Sequence, residues 1–509
     1  MAELDRLEQA CICHEESFLF PFHVSVEMNV EPIEAYCSAP PGQCSYLLES
    51  ADKEGGARYS FVDTAPSALI SIRGAHLSFE PLVKNELTER IEGALKAVLA
   101  HDGTGYLMND MDVLDCLRLV HPASCVPVVR CATKRQTLYG GLVGALGYEA
   151  AYSCWLRELT GDDMLYAAFM LSTSTMIFDH REGKVHLVAC ELVHPDSPEQ
   201  ARLRAEKQLF QMKATLRGAT CPKVAKPSVG KPTESTTKKE FEDMVRRAKQ
   251  HVFDGDVFQA VISRRCSVST DATPLSLYTS LRSINPSPYM YLLQLPDSAV
   301  VGASPERMLS VYDGVLTVNP IAGTCPRGSP GQEAELAATL LGDEKEIAEH
   351  VMLVDLARND TRMVCESGSV KVSEFMNVVK YSHVQHIEST VKGTLREGMD
   401  AFDATRAVFP AGTLSGAPKL RAMEIIHELE GVPRGFYGGS VGYVSLDGSA
   451  DFAITIRTIV LEQGIAHVQA GAGIVADSVP EREYEETQSK MGAMLEAIHP
   501  STAQKEVRV

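Results

Sequence analysis

The chain has 509 residues, 45% hydrophobic and 23% charged, the balance of a folded globular protein with enough length for two ordinary cores. Its net charge is −19, from 48 basic and 67 acidic residues, which excludes a broadly basic nucleic-acid face; no run of about 18 apolar residues offers a membrane span. The charged first ten residues carry no apolar signal core, and the thirteen scattered cysteines form no Cys-x-x-Cys pair. Reduced thiols and a cytoplasmic location are therefore expected.

In chain order, the first 215 residues read as strands and turns with helices near 84–100 and 198–216. Residues 217–239, rich in Pro, Lys, Ser and Thr, read as a linker. Thr237 as N-cap with Glu240 three positions on forms a capping box and predicts a helix to about Phe253, ending at Gly255. Strands are expected at 257–269, at 300–302, and over 308–318 with a turn at Asp313-Gly314. Helices follow at 331–357, 400–409 and 418–430, then strands at 437–446, 451–461 and 465–471. The last helix, 480–498, carries Pro480 in its first turn. Strands and helices each come in runs, so the class is α+β with mostly antiparallel sheet. The division is 1–216, a linker, 240–498, and a tail over 499–509.

Two helix starts carry glutamates three residues apart, Glu346/Glu349 and Glu483/Glu486, each pair on one helical face. Lys490 follows Glu486 by one turn. If the two faces meet, carboxylates about 4 Å apart repel by roughly 4 kcal/mol at an effective dielectric near 20. Such a cluster needs a hard cation or raised pKa values, and points to a Mg²⁺ site that receives an anion. Singly, these pieces are ordinary: Glu486 and Lys490 alone make a solvated helix pair. Gly412 to Lys419 is no phosphate loop, because Pro418 interrupts it and no Ser or Thr follows the lysine. Gly141, Gly144 and Gly147 read as turn or strand packing rather than a dinucleotide fingerprint.

Jointly the pieces say more. Gly255-Asp256-Val257-Phe258-Gln259, Asn285-Pro286-Ser287-Pro288-Tyr289-Met290, Ser304-Pro305-Glu306 and Pro320-Ile321-Ala322-Gly323-Thr324 occur in order. Met352 to Asp360, Tyr381 to His386, Gly412 to Lys419, Asp451 to Thr458 and Gly471 to Lys490 continue the series. This text resembles the chorismate-utilising enzymes, most of all their anthranilate synthase component I branch. It covers 240–498 densely; Leu47-Leu48-Glu49-Ser50 and Arg58-Tyr59-Ser60-Phe61 extend it thinly into the first half.

The resemblance implies a large, mostly antiparallel β-sandwich flanked by helices. It makes 240–498 the chorismate-binding catalytic domain and 1–216 a regulatory region. The implied reaction adds ammonia at C2 of chorismate, expels the C4 hydroxyl and eliminates pyruvate to give anthranilate, the first committed step of tryptophan biosynthesis. Mg²⁺ would be held by Glu349 and Glu486, with Glu346 and Glu483 behind them or acting through water. Glu306 is the implied general acid and His386 the group for proton transfer at C2. Lys490 and the backbone N–H groups of Gly471, Ala472 and Gly473 suit the ring carboxylate; Tyr437 and Arg457 suit the enolpyruvyl carboxylate. Thr324, Gly412 and Thr413 would line the cavity.

Two positions narrow the branch. Gln259 stands where water-adding relatives carry a lysine base. Ala322 stands where aminodeoxychorismate synthases of folate biosynthesis, the alternative reading, carry a nucleophilic lysine. Both favour ammonia at C2. No Gly-x-Cys-x-Gly elbow occurs in the chain, so ammonia is expected from a separate glutamine amidotransferase subunit. Feedback inhibition by tryptophan is also implied. One wall of its site would be Glu49 and Ser50, the other Pro288, Tyr289 and Met290, with Val441, Tyr443 and Asp451 nearby. Glu49 and Asp451 would receive the ammonium group. A homologue without catalysis would have lost part of this set, and an unrelated Mg²⁺-dependent hydrolase would carry Asp-rich ligand runs that are missing here.

Overall fold

Strands such as Gly141–Leu146, Ser174–Asp179 and Ser440–Ser445 are buried at every position, so their sheets must be covered on both faces. The computed structural model describes residues 2–38, 42–51, 58–131, 135–161, 164–220, 227–328, 331–380 and 384–499. They form two 12-stranded sheets whose named strand pairs are all antiparallel. The sheets face each other across one core: Tyr291 and Leu293 of the first and Leu309 and Val441 of the second belong to a single buried cluster. Phe61 of the first sheet meets Tyr443 of the second edge to face, ring centres 5.6 Å apart. The helices Pro198–Arg217, Pro274–Ile284 and Pro480–Ile498 bury apolar side chains in a second cluster against the first sheet.

Neither sheet respects the division at 217–239. Each takes five of its strands from before residue 217 and most of the rest from beyond residue 239. The first sheet is joined at its middle by Ser45–Glu49 pairing with Tyr289–Gln294, with Met290 opposite Glu49. The second is joined by Gly141–Leu146 pairing with Ser440–Ser445, with Gly442 opposite Gly144. A Cβ on Gly144 would stand 2.2 Å from the Ala168 carbonyl oxygen, so the glycine spacing read from sequence is strand packing. The end of the expected linker, Thr233–Glu234, is an edge strand on Cys266 and Ser267. The tail beyond 499 lies outside the described residues.

Two expected elements are each two elements. The helix expected over 331–357 is Glu333–Leu340 and Glu344–Arg362. The break falls at Asp343, whose side chain accepts from the N–H groups of Lys345 and Glu346 and caps the second helix. The strand expected over 451–461 is Ala450–Ile454 in the second sheet and Thr458–Glu462 in the first. The chain changes sheets between them, and Arg457 turns it with φ +51°. A second crossing joins Ser298–Ser304 of the first sheet to Arg307–Tyr312 of the second, through Pro305 and Glu306. The crossings are zipped together: Ala303 N–H donates to Arg457 O (3.1 Å) and Ile454 N–H to Glu306 O (3.0 Å). The hairpin turn Asp313-Gly314 forms as read, both residues at positive φ.

Candidate active site

The two sheet crossings place Glu306 and Arg457 side by side in the backbone where the sheets part. The Glu306 side chain is buried, 8% exposed, and its Oε1 accepts from the Thr413 hydroxyl at 3.0 Å. Burial pushes its pKa up to about 8, Glu388 adds to the rise, and Thr413 and Lys490 oppose it. Glu306 is therefore a carboxylic acid that still holds its proton near neutrality.

His386 lies on the strand Val384–Thr394, its backbone opposite Thr324; the Thr324 side chain lies outside the described residues. The His386 Nδ1–H donates to Gly323 O at 3.0 Å, which fixes the tautomer and leaves the acceptor lone pair on Nε2. Burial and the nearby Arg457 charge lower its pKa, so the ring is neutral. Burial also lowers the pKa of Arg457. Among the described residues no carboxylate pairs with that guanidinium, and the buried Tyr437 is its polar neighbour. A half-buried cation without a counter-charge is a receiver for an anion.

The helices Glu344–Arg362 and Pro480–Ile498 bring the four glutamates together. Burial raises the Glu346 pKa, with Glu349, Asp343 and Glu486 adding to it; burial raises that of Glu483, with Glu486 adding. Lys490 Nζ pairs with Glu486 (2.7 Å) and donates to Gly471 O (3.0 Å). Gln259 Nε2 donates to Glu349 Oε1 at 3.4 Å, while its Oε1 is buried without a partner among the described residues. A Cβ on Gly473 would stand 2.1 Å from that Nε2, so only glycine leaves room for the amide there. Gly471, Ala472 and Gly473 pair with Ser263, Ile262 and Val261 on one side. The other neighbour strand stops pairing at Val468, so their second edge carries no strand, and the Gly471 N–H donates to the Tyr437 hydroxyl.

The donor set is all oxygen, shared between like charges, and fits a hard divalent cation. It is not a closed cage. Among the described residues, three ligand atoms within 4.8 Å of one another occur at Asp179, Glu182 and His186, where Arg58 already neutralises Asp179 (2.6 Å) and Glu182 (3.1 Å). An open, two-sided site suits Mg²⁺, which keeps several waters and leaves positions for a substrate oxygen.

Beside this chamber is a cavity of about 480 Å³, lined in part by Glu49, Ser50, Pro288, Tyr289, Met290, Val441, Tyr443 and Asp451. Those segments, far apart in sequence, meet at the seam of both sheets. Glu49 is already engaged by Arg282 (2.6 and 3.0 Å) and by the Tyr278 hydroxyl (2.6 Å). Asp451 accepts from the Tyr289 hydroxyl at 2.9 Å and faces Arg307 Nε at 3.5 Å. Sequence reasoning passed over Arg307, Asn319 and Glu388, which also line the cavity. The available signals were position alone: Arg307 follows Glu306, and Glu388 shares a strand face with His386.

The sequence profile of the chorismate binding enzymes matches residues 85–496. Anthranilate synthase component 1 of Haloferax volcanii is 47% identical over 504 residues, covering 93% of this chain and 92% of that protein. The protein of the same name from Pseudomonas putida is 41% identical, covering 92% of each. The chain belongs to the chorismate binding enzymes. Among solved structures of this family, anthranilate synthase component I of Streptococcus pneumoniae aligns with TM-score 0.69 at 34% identity, over 86% of this chain and 92% of that one. The menaquinone-specific isochorismate synthase of Escherichia coli aligns with TM-score 0.67 at 15% identity and shares the fold. The paired antiparallel sheets with flanking helices are thus the fold of the chorismate binding enzymes.

Proposed function

We propose that the chain is the large subunit of an anthranilate synthase, adding ammonia to C2 of chorismate and then eliminating pyruvate. The observation that carries this is the chamber's division of labour: a neutral buried acid at Glu306, a neutral imidazole at His386, and an uncompensated cation at Arg457. Ammonia forms the new C–N bond at C2, the ring double bonds shift, and the C4–O bond breaks. Glu306 supplies the proton with which the C4 oxygen leaves as water. His386 Nε2 then takes the C2 proton as the ring becomes aromatic and the C3–O bond breaks; the enolpyruvate that leaves takes a proton on its methylene carbon to become pyruvate. Arg457 and Tyr437 hold the enolpyruvyl carboxylate. Lys490 and the open strand edge at Gly471, Ala472 and Gly473 hold the ring carboxylate, with Gly412 and Thr413 closing the wall behind Glu306.

Mg²⁺, when bound by Glu349 and Glu486 with Glu346 and Glu483 behind them, would draw electron density from the ring through its carboxylate. Gln259 cannot deprotonate water, so the nucleophile must arrive as competent as NH₃. Ala322 offers no amine for covalent attack, which disfavours the aminodeoxychorismate alternative. The cavity at the sheet seam would take tryptophan as feedback inhibitor. Asp451 would receive the ammonium group, beside Glu49, whose two carboxylate oxygens already accept from Arg282 and Tyr278. Pro288, Tyr289 and Met290 would pack the indole. Ammonia would come from a separate glutamine amidotransferase subunit. The test of the mechanism is Glu306→Gln, which keeps a partner for Thr413 but has no carboxylic proton. Turnover should collapse while chorismate still binds; unchanged turnover would reject Glu306 as the acid.

A further inference from the structure

The turn that carries Thr413 is held by a buried cation. Arg434, 3% exposed, follows the helix Lys419–Glu430. Its Nη1–H donates to Leu414 O at 2.7 Å, one residue past Thr413, and its Nη2–H donates to Val261 O at 2.6 Å. Val261 stands opposite Gly473, and its own N–H donates to Ser415 O at 2.9 Å. Turn and strand are thus stapled to each other through one guanidinium and one peptide N–H. Glu430 takes the other side of the fork, from Nε–H at 2.9 Å and Nη2–H at 2.6 Å. The same carboxylate accepts from the N–H and the hydroxyl of Ser263 at 2.7 and 2.8 Å, opposite Gly471. The guanidinium also lies 5.7 Å from the centre of the Tyr437 ring.

Replacing a buried ion pair by well-packed apolar side chains is often neutral or stabilising, so stability alone does not call for a guanidinium here. What Arg434 adds is geometry: a planar fork that reaches two carbonyl oxygens and a carboxylate at once, which a lysine cannot do. We propose that Arg434, braced by Glu430, is a positioning residue that seats the Thr413 hydroxyl on Glu306. This role rests on the reading of Glu306 as the general acid. The other charges facing Glu306 are Lys490 from the last helix and Glu388 from its strand. Asp360 and Arg307 line the same small pocket; Lys419 neutralises Asp360 at 2.8 Å, and Arg307 is turned to the Tyr289 hydroxyl at 2.6 Å. Arg434 gives its hydrogen bonds to Leu414, Val261 and Glu430, so it reaches the acid through the turn. A hydroxyl that donates to a carboxylate favours the ionised form, so Thr413 opposes the rise that burial imposes on Glu306. A turn released from Arg434 withdraws that bond, and the acid then keeps its proton to higher pH.

The experiment is the pH profile of chorismate kcat/KM, with free ammonia held constant. Thr413→Val should move the alkaline limb to higher pH by roughly half a unit or more. Arg434→Lys keeps a charge for Glu430 but lacks the fork, and should move the limb the same way with circular dichroism unchanged. The double variant should move it no further than either single one, because both act through one hydrogen bond. If Arg434→Lys lowers the rate at every pH and leaves the limb in place, the role is merely structural and the proposal is overturned. Additive shifts in the double variant would also overturn it, since Arg434 would then act by another route.

If Arg434→Lys does not fold, Arg434→Gln combined with Glu430→Gln decides, because it removes both buried charges together. Its limb should also move to higher pH, and an unmoved limb overturns the proposal. The two readings fail differently. A limb that moves in Thr413→Val but not in the Arg434 variants overturns the role of Arg434 alone. A limb that Thr413→Val leaves in place overturns that role and the assignment of the limb to Glu306 with it.

Discussion

A buried carboxyl group keeps its proton to higher pH than one in water, and Glu306 is such a group, held up to about 8 chiefly by burial. Since only the protonated form can donate, kcat/KM should fall as pH rises through about 8. Glu306→Gln should lose roughly 10²–10⁴ in kcat with a chorismate KM within a few-fold, and should lose that alkaline limb. Stopped assays across pH 6–10 would check both; a limb that survives the substitution would assign it elsewhere. At the carboxylate face, Glu349→Ala or Glu486→Ala should abolish Mg²⁺-dependent turnover with the fold unchanged by circular dichroism. Near-wild-type activity of both at limiting Mg²⁺ would reject these ligands. Glu306, His386, Arg457 and the glutamate pairs were all legible in the sequence, because each sits in a short ordered motif. Glu388 and Asn319 were not. Their partners come from other strands, and nothing in their own neighbourhood distinguishes them from ordinary strand residues.

Elements were legible wherever local chemistry sets the boundary. The capping box at Thr237 and Glu240 forms as read, and the last helix runs Pro480–Ile498. The two breaks that escaped reading, at Asp343 and at Arg457, are set by tertiary demands: a helix must restart toward the chamber, and a strand must change sheets. The last helix is held in register by one buried cation. Arg264, 1% exposed, donates to the Thr487 hydroxyl (2.8 Å) and to Gln488 (2.6 Å), pairs with Glu234 (3.1 Å) and lies 4.1 Å over the Tyr484 ring. Thr487 stands between Glu486 and Lys490. Arg264→Met should therefore cost about 1–3 kcal/mol of stability, because it leaves the buried Thr487 hydroxyl without its donor and removes the cation over Tyr484. It should also raise the Mg²⁺ needed for half-maximal rate, as Glu486 and Lys490 lose their seat. A thermal midpoint and Mg²⁺ requirement both unchanged would remove Arg264 from this role.

At the scale of the molecule, the halves on either side of 217–239 are woven into both sheets, and the 480 Å³ cavity sits on the seam. A ligand there touches both halves, which gives it purchase on how they pack. Ser50 is small and lines that cavity. Ser50→Phe should leave an active enzyme that tryptophan no longer inhibits, and a variant inhibited as strongly as wild type would reject the site. The weave itself was not legible in the sequence, since pairing between Ser45–Glu49 and Tyr289–Gln294 joins strands some 240 residues apart and leaves no local trace. The central claim is that this chamber adds free ammonia to chorismate and cannot make ammonia itself. The direct measurement is anthranilate fluorescence from the purified chain with chorismate and Mg²⁺, given ammonium in one cuvette and glutamine in the other. Anthranilate with ammonium and none with glutamine is the predicted result. Anthranilate from glutamine alone, or 4-amino-4-deoxychorismate in place of anthranilate, would contradict it.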